Sequence, residues 1–291
     1  MQGVDKLSAP PDSFVWVYLQ PKKGCLIVVK ERPTVGLALG AGAARGFAHL
    51  GVLRVLKDAN IPIDLVAGSS IGSVFGALFA LGSDLEMLTG LALQLKPNFF
   101  MDPCVPRRGL ISGRKAHALL RLLTKNKTFS DLEKDLYVVA VDIENGDKVV
   151  FEDGLLADAL RASISVPGVF QPFNLNGRLF VDGAVMDRIP VSVLRDKGAD
   201  IVVAVDVKLT RELQFRSRIN NIFDVFFQSL DLLEREVAKH HLIDADVLIY
   251  PDVGDISAAA FNRVGECIDR GAAAARDAVP RIKEAMGERK C

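Results

Sequence analysis

Leu65-Val66-Ala67-Gly68-Ser69-Ser70-Ile71-Gly72-Ser73-Val74-Phe75-Gly76-Ala77 runs from an apolar triplet through a glycine- and serine-rich turn into a second apolar run. The stretch from Leu65 to Ser83 carries no charge and is nearly long enough to cross a bilayer. Its Gly68, Ser69, Ser70, Gly72, Ser73, Gly76 and Gly82 would set too many small and polar groups against lipid. The better reading is a buried strand, a tight turn and a buried helix. In that setting Gly68-x-Ser70-x-Gly72 has the form of a nucleophile elbow, whose flanking glycines permit a turn sharp enough to push the central hydroxyl out of the sheet. Ser70 is therefore the candidate nucleophile; Ser69 and Ser73 lack glycines two residues away on both sides.

Working outward, Val35–Leu39 is an apolar strand feeding the loop Gly40-Ala41-Gly42-Ala43-Ala44-Arg45-Gly46, which opens a helix. Small residues let backbone approach a ligand, and a helix start offers free N–H groups to negative charge. The same physics serves a nucleotide site, an oxyanion site or plain close packing. The third glycine of a dinucleotide fingerprint would stand at position 45, where this chain has Arg. Arg45 itself either steers a phosphate or props the loop through a salt bridge or a carbonyl. Downstream, Leu179-Phe180-Val181-Asp182-Gly183-Ala184 places an acid directly after an apolar strand, an arrangement that also describes an ordinary turn.

A serine nucleophile needs a base. Of the four histidines, His49 reads as a core or capping residue and His117 as a surface-helix residue. His240 and His241 follow Ser70 and Asp206 in the serine–acid–histidine order of α/β-hydrolases, but they sit inside an amphipathic helical run, not in a loop after a strand.

Short apolar strands alternate with longer helical segments from Thr34 onward, which specifies an α/β fold. The expected strands are Val35–Leu39, Leu65–Ala67, Tyr137–Asp142, Leu179–Val181, Ile201–Val207 and Val247–Tyr250. The expected helices are Gly46–Ala59, Ile71–Leu81, Gly113–Leu123, Leu155–Ser163, Val191–Lys197, Ile222–His241 and Asn262–Met286. Lys148–Phe151 is expected to pair back on 137–142 across the Glu144–Asp147 turn. Residues 1–34 read as an appendage with a short hairpin, 35–286 as one domain and 287–291 as a tail.

The 291 residues are 49% hydrophobic and 25% charged, ordinary for a globular chain and against disorder. Lys plus Arg and Asp plus Glu both number 36, so no net field draws the chain to nucleic acid. Four scattered cysteines without a CxxC pair suggest reduced thiols, and no ligand cluster suggests a metal. The first 22 residues lack the apolar run of a secretory signal, so a cytoplasmic protein is expected. Pro97-Asn98-Phe99-Phe100-Met101, followed by Pro103, Pro106, Arg107 and Arg108, reads as a flap over an acyl chain. Arg211, Arg216 and Arg218 before Phe223, Phe226 and Phe227 describe either a membrane-seating helix or a helix packed on the sheet, and the packed helix is the preferred reading.

Gly40-x-Gly42-x-x-Arg45-Gly46, Gly68-x-Ser70-x-Gly72 and Asp182-Gly183-Ala184, in that order, resemble the patatin-like phospholipases, in particular the bacterial branch related to the catalytic domain of neuropathy target esterase. The resemblance runs from about Val35 to Asp206 and includes Ala157-x-x-x-Arg161-Ala162-Ser163-x-Ser165-x-Pro167-Gly168-x-Phe170. It implies a three-layer α/β/α fold with a mostly parallel sheet and a cofactor-free Ser–Asp dyad. Ser70 would be the nucleophile, Asp182 the proton acceptor, and Gly42 and Ala43 the oxyanion hole; Arg45, Phe99 and Phe100 are candidates for substrate contact. The implied substrate is a phospholipid or lysophospholipid ester, met by transient contact with a membrane. Alanines at 41 and 43 depart from the glycine-richest pattern, and alanine does not readily adopt positive φ.

Overall fold

The computed structural model describes residues 14–17, 27–30, 32–105, 108–208, 222–241 and 244–288. β1 (Phe14–Val17) and β2 (Ile27–Lys30) pair antiparallel with each other in a separate two-stranded sheet. The main sheet begins with β3 (Val35–Leu39), followed by α1 (Ala48–Asp58), β4 (Leu65–Ser69), α2 (Ile71–Ala80), α3 (Leu85–Gln94) and α4 (Arg114–Leu123). Next come β5 (Asp135–Asp142), β6 (Asp147–Phe151), α5 (Leu156–Ser163), β7 (Phe173–Leu175), β8 (Arg178–Asp182) and α6 (Val191–Asp196). The chain continues through β9 (Ile201–Val205), α7 (Ile222–His241), β10 (Val247–Ile249) and α8 (Val264–Glu288).

Eight strands form one mixed sheet in the order β10-β9-β3-β4-β5-β8-β7, with β6 also paired to β5. The run from β10 to β5 is parallel; β6, β7 and β8 are antiparallel to their neighbours. The central strands are buried on both faces, and their side chains divide by alternation. Leu37 and Leu39 of β3, with Val203 and Val205 of β9, meet α1, α2 and α8 in the larger core, which includes Leu50, Leu53, Leu78, Ile268 and Ile282. Ala38, Ala67, Val202 and Ala204 face the other way, onto Val191, Val193 and Leu194 of α6. Helices on both faces make the three layers.

The expected elements are present with ends shifted by a few residues. The expected helix at Gly46 opens instead with a tight turn over Ala43–Phe47. Two elements were not anticipated. α3 is capped by Asp84, whose carboxylate accepts the N–H groups of Glu86 and Met87. β7 joins β8 through Asn176-Gly177, both at positive φ.

The packed-helix reading of the 211–233 segment is corrected for its described part. Ile222, Val225, Phe226, Leu232, Leu233 and Val237 of α7 are exposed, and the one buried side chain among those described is Glu234. Helical periodicity marks one face of α7 as apolar, but the larger-core face of the sheet is already covered by α1, α2 and α8. Arg211, Arg216 and Arg218 lie outside the described residues, as do the side chains of Phe223 and Phe227. No helix among the described residues is long and apolar enough to cross a membrane.

Candidate active site

Ser70 follows the last residue of β4 and precedes α2, with φ 55° and ψ −131°. That backbone is strained for a residue with a Cβ, at a cost of about 1–3 kcal/mol, and persists because its surroundings over-determine it. The turn is held by close contact: a Cβ at Gly68 would come 2.4 Å from Ser73 Cα, and one at Gly72 would come 2.2 Å from the Leu39 carbonyl oxygen. Ser73 donates its hydroxyl to the Ser70 carbonyl at 2.6 Å, and the Ser70 N–H donates to Ser163 Oγ at 2.9 Å. Ser69 and Ser73 are fully buried, so of the three serines only Ser70 turns toward the site.

The Ser70 hydroxyl donates to Asp182 Oδ2 at 2.6 Å. Sheet register explains how residues so far apart in sequence meet. β4 pairs with β5 as far as Ser69↔Val139, and β8 pairs with β5 from Ala140↔Asp182. β6 occupies the opposite edge along 138–142. β4 and β8 therefore share one edge of β5 and meet end to end at Val139 and Ala140. Ser70 leaves one strand end as Asp182 arrives at the other.

The C-terminus of α5 braces this junction. Ser163 takes the Ser70 N–H, and the Ser165 carbonyl takes the Asp182 N–H at 3.0 Å. Arg161, buried, donates to Ser165 Oγ and to the carbonyls of Ser112, Gly113 and Gln171, and stacks over Phe170 and Phe173. Burial pulls its pKa down to about 10, so it remains a cation at neutral pH. The Arg161-x-Ser163-x-Ser165 spacing was visible in the sequence, but its role depends on contacts that spacing does not reveal.

Burial pushes the Asp182 carboxyl up to about 7. Hydrogen bonds from Ser70 and from the Ala184 N–H pull the other way; nearby Glu234 raises it further and Lys208 opposes that. A carboxylate with a pKa near 7 is a far better proton acceptor than a solvated one. Glu234, on α7, pairs with Lys208 and was not singled out in the sequence.

The loop after β3 lies against the elbow, since a Cβ at Gly46 would come 2.2 Å from Ile71 Cγ2. Its outer N–H groups are spoken for: Gly40 donates to Val205 O, Ala41 to Arg188 O, and Ala44 to Ala258 O. Arg188 is itself locked in a buried two-pronged pair with Asp206 at 2.7 and 2.8 Å. His49 Nε2 lies 2.7 Å from Gly40 O, and burial holds this histidine down to about 4, so it is neutral and donates that proton. Between these anchors the N–H groups of Gly42 and Ala43 donate to no acceptor among the described residues. Ala43 stands at φ 49°, the left-handed conformation that the sequence made doubtful for alanine. Gly42 is extended, and a Cβ there would come 2.3 Å from Val207 Cγ2.

Arg45 Nε donates to the Ile256 carbonyl at 2.6 Å, the loop-propping alternative. Phe99 is exposed, whereas Phe100 stacks on Phe261 at 5.1 Å, and Phe261 meets Phe47 at 6.2 Å. Asp102 caps α4, accepting the N–H groups of Gly113, Arg114 and Lys115, so the end of the proposed flap is tied down. His117 pairs with Asp158, the side chains of His240 and His241 lie outside the described residues, and Asp206 is committed to Arg188.

The model of the patatin-like phospholipase family matches residues 37–195. An uncharacterised NTE family protein of Mycobacterium bovis is 35% identical over 60% of this chain and 49% of its own length. Lysophospholipase NTE1 of Phaeosphaeria nodorum is 32% identical over 60% of this chain and 12% of its own length. The chain thus spans about half, or far less, of the relatives it matches. VipD from Legionella pneumophila, at 14% identity, shares the fold over 94% of this chain and 70% of its own, with a TM-score of 0.62. With the matched residues spanning the loop at 40–46, the elbow at Ser70 and the turn at Asp182, the chain belongs to the patatin-like phospholipase family.

Proposed function

We propose that this protein is a serine acyl hydrolase that cleaves carboxylic esters of phospholipids or lysophospholipids by a Ser–Asp dyad. The observation that carries the reading is the 2.6 Å bond from Ser70 Oγ to an Asp182 carboxylate whose pKa burial brings close to neutrality. Asp182 takes the Ser70 proton as Oγ attacks the ester carbonyl, then returns it to the departing alcohol. The oxyanion sits between the N–H groups of Gly42 and Ala43, donors held rigid by the anchors on either side and costing no reorganisation when charge develops. Water then attacks the acyl-enzyme by the same route in reverse. The family and the lysophospholipase named above support a lipid ester as the substrate class.

The test is product analysis on lysophospholipids, diacyl phospholipids, acylglycerols and acyl-CoA, together with labelling by a fluorophosphonate probe. The adduct should map to Ser70, and Ser70→Ala should lower turnover by about 10³-fold or more without altering the melting curve. Activity should persist in excess chelator, because backbone amides occupy the role a metal would otherwise take. An adduct on another residue, or activity that EDTA abolishes and calcium restores, would overturn the mechanism.

A further inference from the structure

α7 is amphipathic in the reverse sense. At 3.6 residues per turn, Ile222, Val225, Phe226, Leu232, Leu233 and Val237 fall within an arc of about 140°. All six are exposed, Ile222 at 78% and Leu233 at 66%. The inner side carries acids: Glu234 is buried against Lys208, and Asp231 lies 3.3 Å from the same ammonium. This polar inner side sits at the dyad, since α7 packs on the Gly183–Val185 turn that directly follows Asp182. Met186, the next residue, is also exposed.

A soluble surface rarely leaves so long an apolar stripe open, and one that does marks a contact surface. We infer that the outer face of α7 rests on a lipid surface, bringing the Ser70–Asp182 site to the bilayer or micelle that holds its ester. The occupant follows from position: α7 packs on the turn beside Asp182, and the substrate proposed above is itself found in such aggregates. The inference rests on that reading for its choice of lipid over protein. An interfacial helix of this kind sinks its apolar side into the boundary between headgroups and acyl chains. Here the opposite side is pinned by Lys208, which keeps the helix oriented while its outer face is engaged.

The test uses the full chain, floated with phosphatidylcholine vesicles containing phosphatidylglycerol. Ser70→Ala provides a background in which flotation is read without hydrolysis. Ile222→Glu with Leu233→Glu should reduce flotation and vesicle-lipid hydrolysis by about tenfold or more, while hydrolysis of a short soluble ester stays within about twofold. Leu233→Trp, which keeps the face apolar, should float as the parent does, and its indole emission should shift to the blue on vesicles. Unchanged flotation in the double-Glu variant, or an unshifted indole, would overturn the inference. So would sedimentation showing a dimer that the double-Glu variant splits, since the face would then belong to a second copy. Flotation through α7 by a protein that hydrolyses no ester would leave the docking surface standing and remove the hydrolase reading alone.

Discussion

The two longest helices among the described residues, α7 with 20 residues and α8 with 25, are both amphipathic and face in opposite directions. α8 turns Cys267, Ile268, Ala275, Ala278 and Ile282 into the larger core against α1 and the sheet. α7 turns its apolar residues outward and its acids inward, onto Lys208 and the turn beside Asp182. Helical period therefore establishes that one face is apolar, not which way that face points.

The strongest way to sharpen this contrast lies at the residue that α7 touches with its inner side. Asp182→Asn keeps the shape of the side chain but cannot accept the Ser70 proton, so turnover should fall by about 10³-fold or more. The fold should gain from the same change. The native pKa of Asp182, about 7, lies above its unfolded value, so the native state binds the proton more tightly. The stability this contributes is complete below about pH 4 and is lost as pH rises through about 7. Relative to the parent, the unfolding free energy of Asp182→Asn should climb across that window and then level off, with an amplitude on the order of a few kcal/mol. A flat difference would show that the carboxyl is not perturbed. Parent activity should rise across the same interval, as the base loses its proton.

Truncations in the two helices come next. Ile282→Ala in α8 leaves a cavity in a close-packed core and should cost about 2–5 kcal/mol by denaturant unfolding. Leu233→Ala in α7 removes a side chain that is largely in solvent and should stay within about 0.5 kcal/mol. Equal costs would break the comparison and place α7 in the core. The smallest effect is expected at Glu234→Gln. Removing that negative charge, and with it one of the partners of Lys208, should lower the pKa of Asp182. The rise in kcat/KM with pH should then move to lower pH by a fraction of a unit. A shift to higher pH would mean that Glu234 does not act on the base.

Local features were legible in the sequence. The elbow, the loop after β3 and the acid after β8 are each carried by a few adjacent residues whose types dictate a backbone shape. α3 escaped because its Asp84 cap lies in a short turn directly after the elbow helix, and β7 because three residues give too short a run to see. Its Asn176-Gly177 turn was the available signal. The meeting of Ser70 with Asp182 was legible only through resemblance, because no local pattern states that β4 and β8 abut on one edge of β5. The direction of α7 was not legible at all.

That shared edge also bears on the order in which the molecule can be made. Ser70 and Asp182 are 112 residues apart, and neither β4 nor β8 touches the other's functional residue until both lie along β5. Such long-range closure is slow to form and comes late in folding. A nascent chain that has emerged only through β5 carries the serine turn but lacks its acid, and a misregistered β8 leaves the acid out of reach. Labelling of Ser70 by a fluorophosphonate should thus report that β4, β5 and β8 have come together, and a chain halted before β8 should not label.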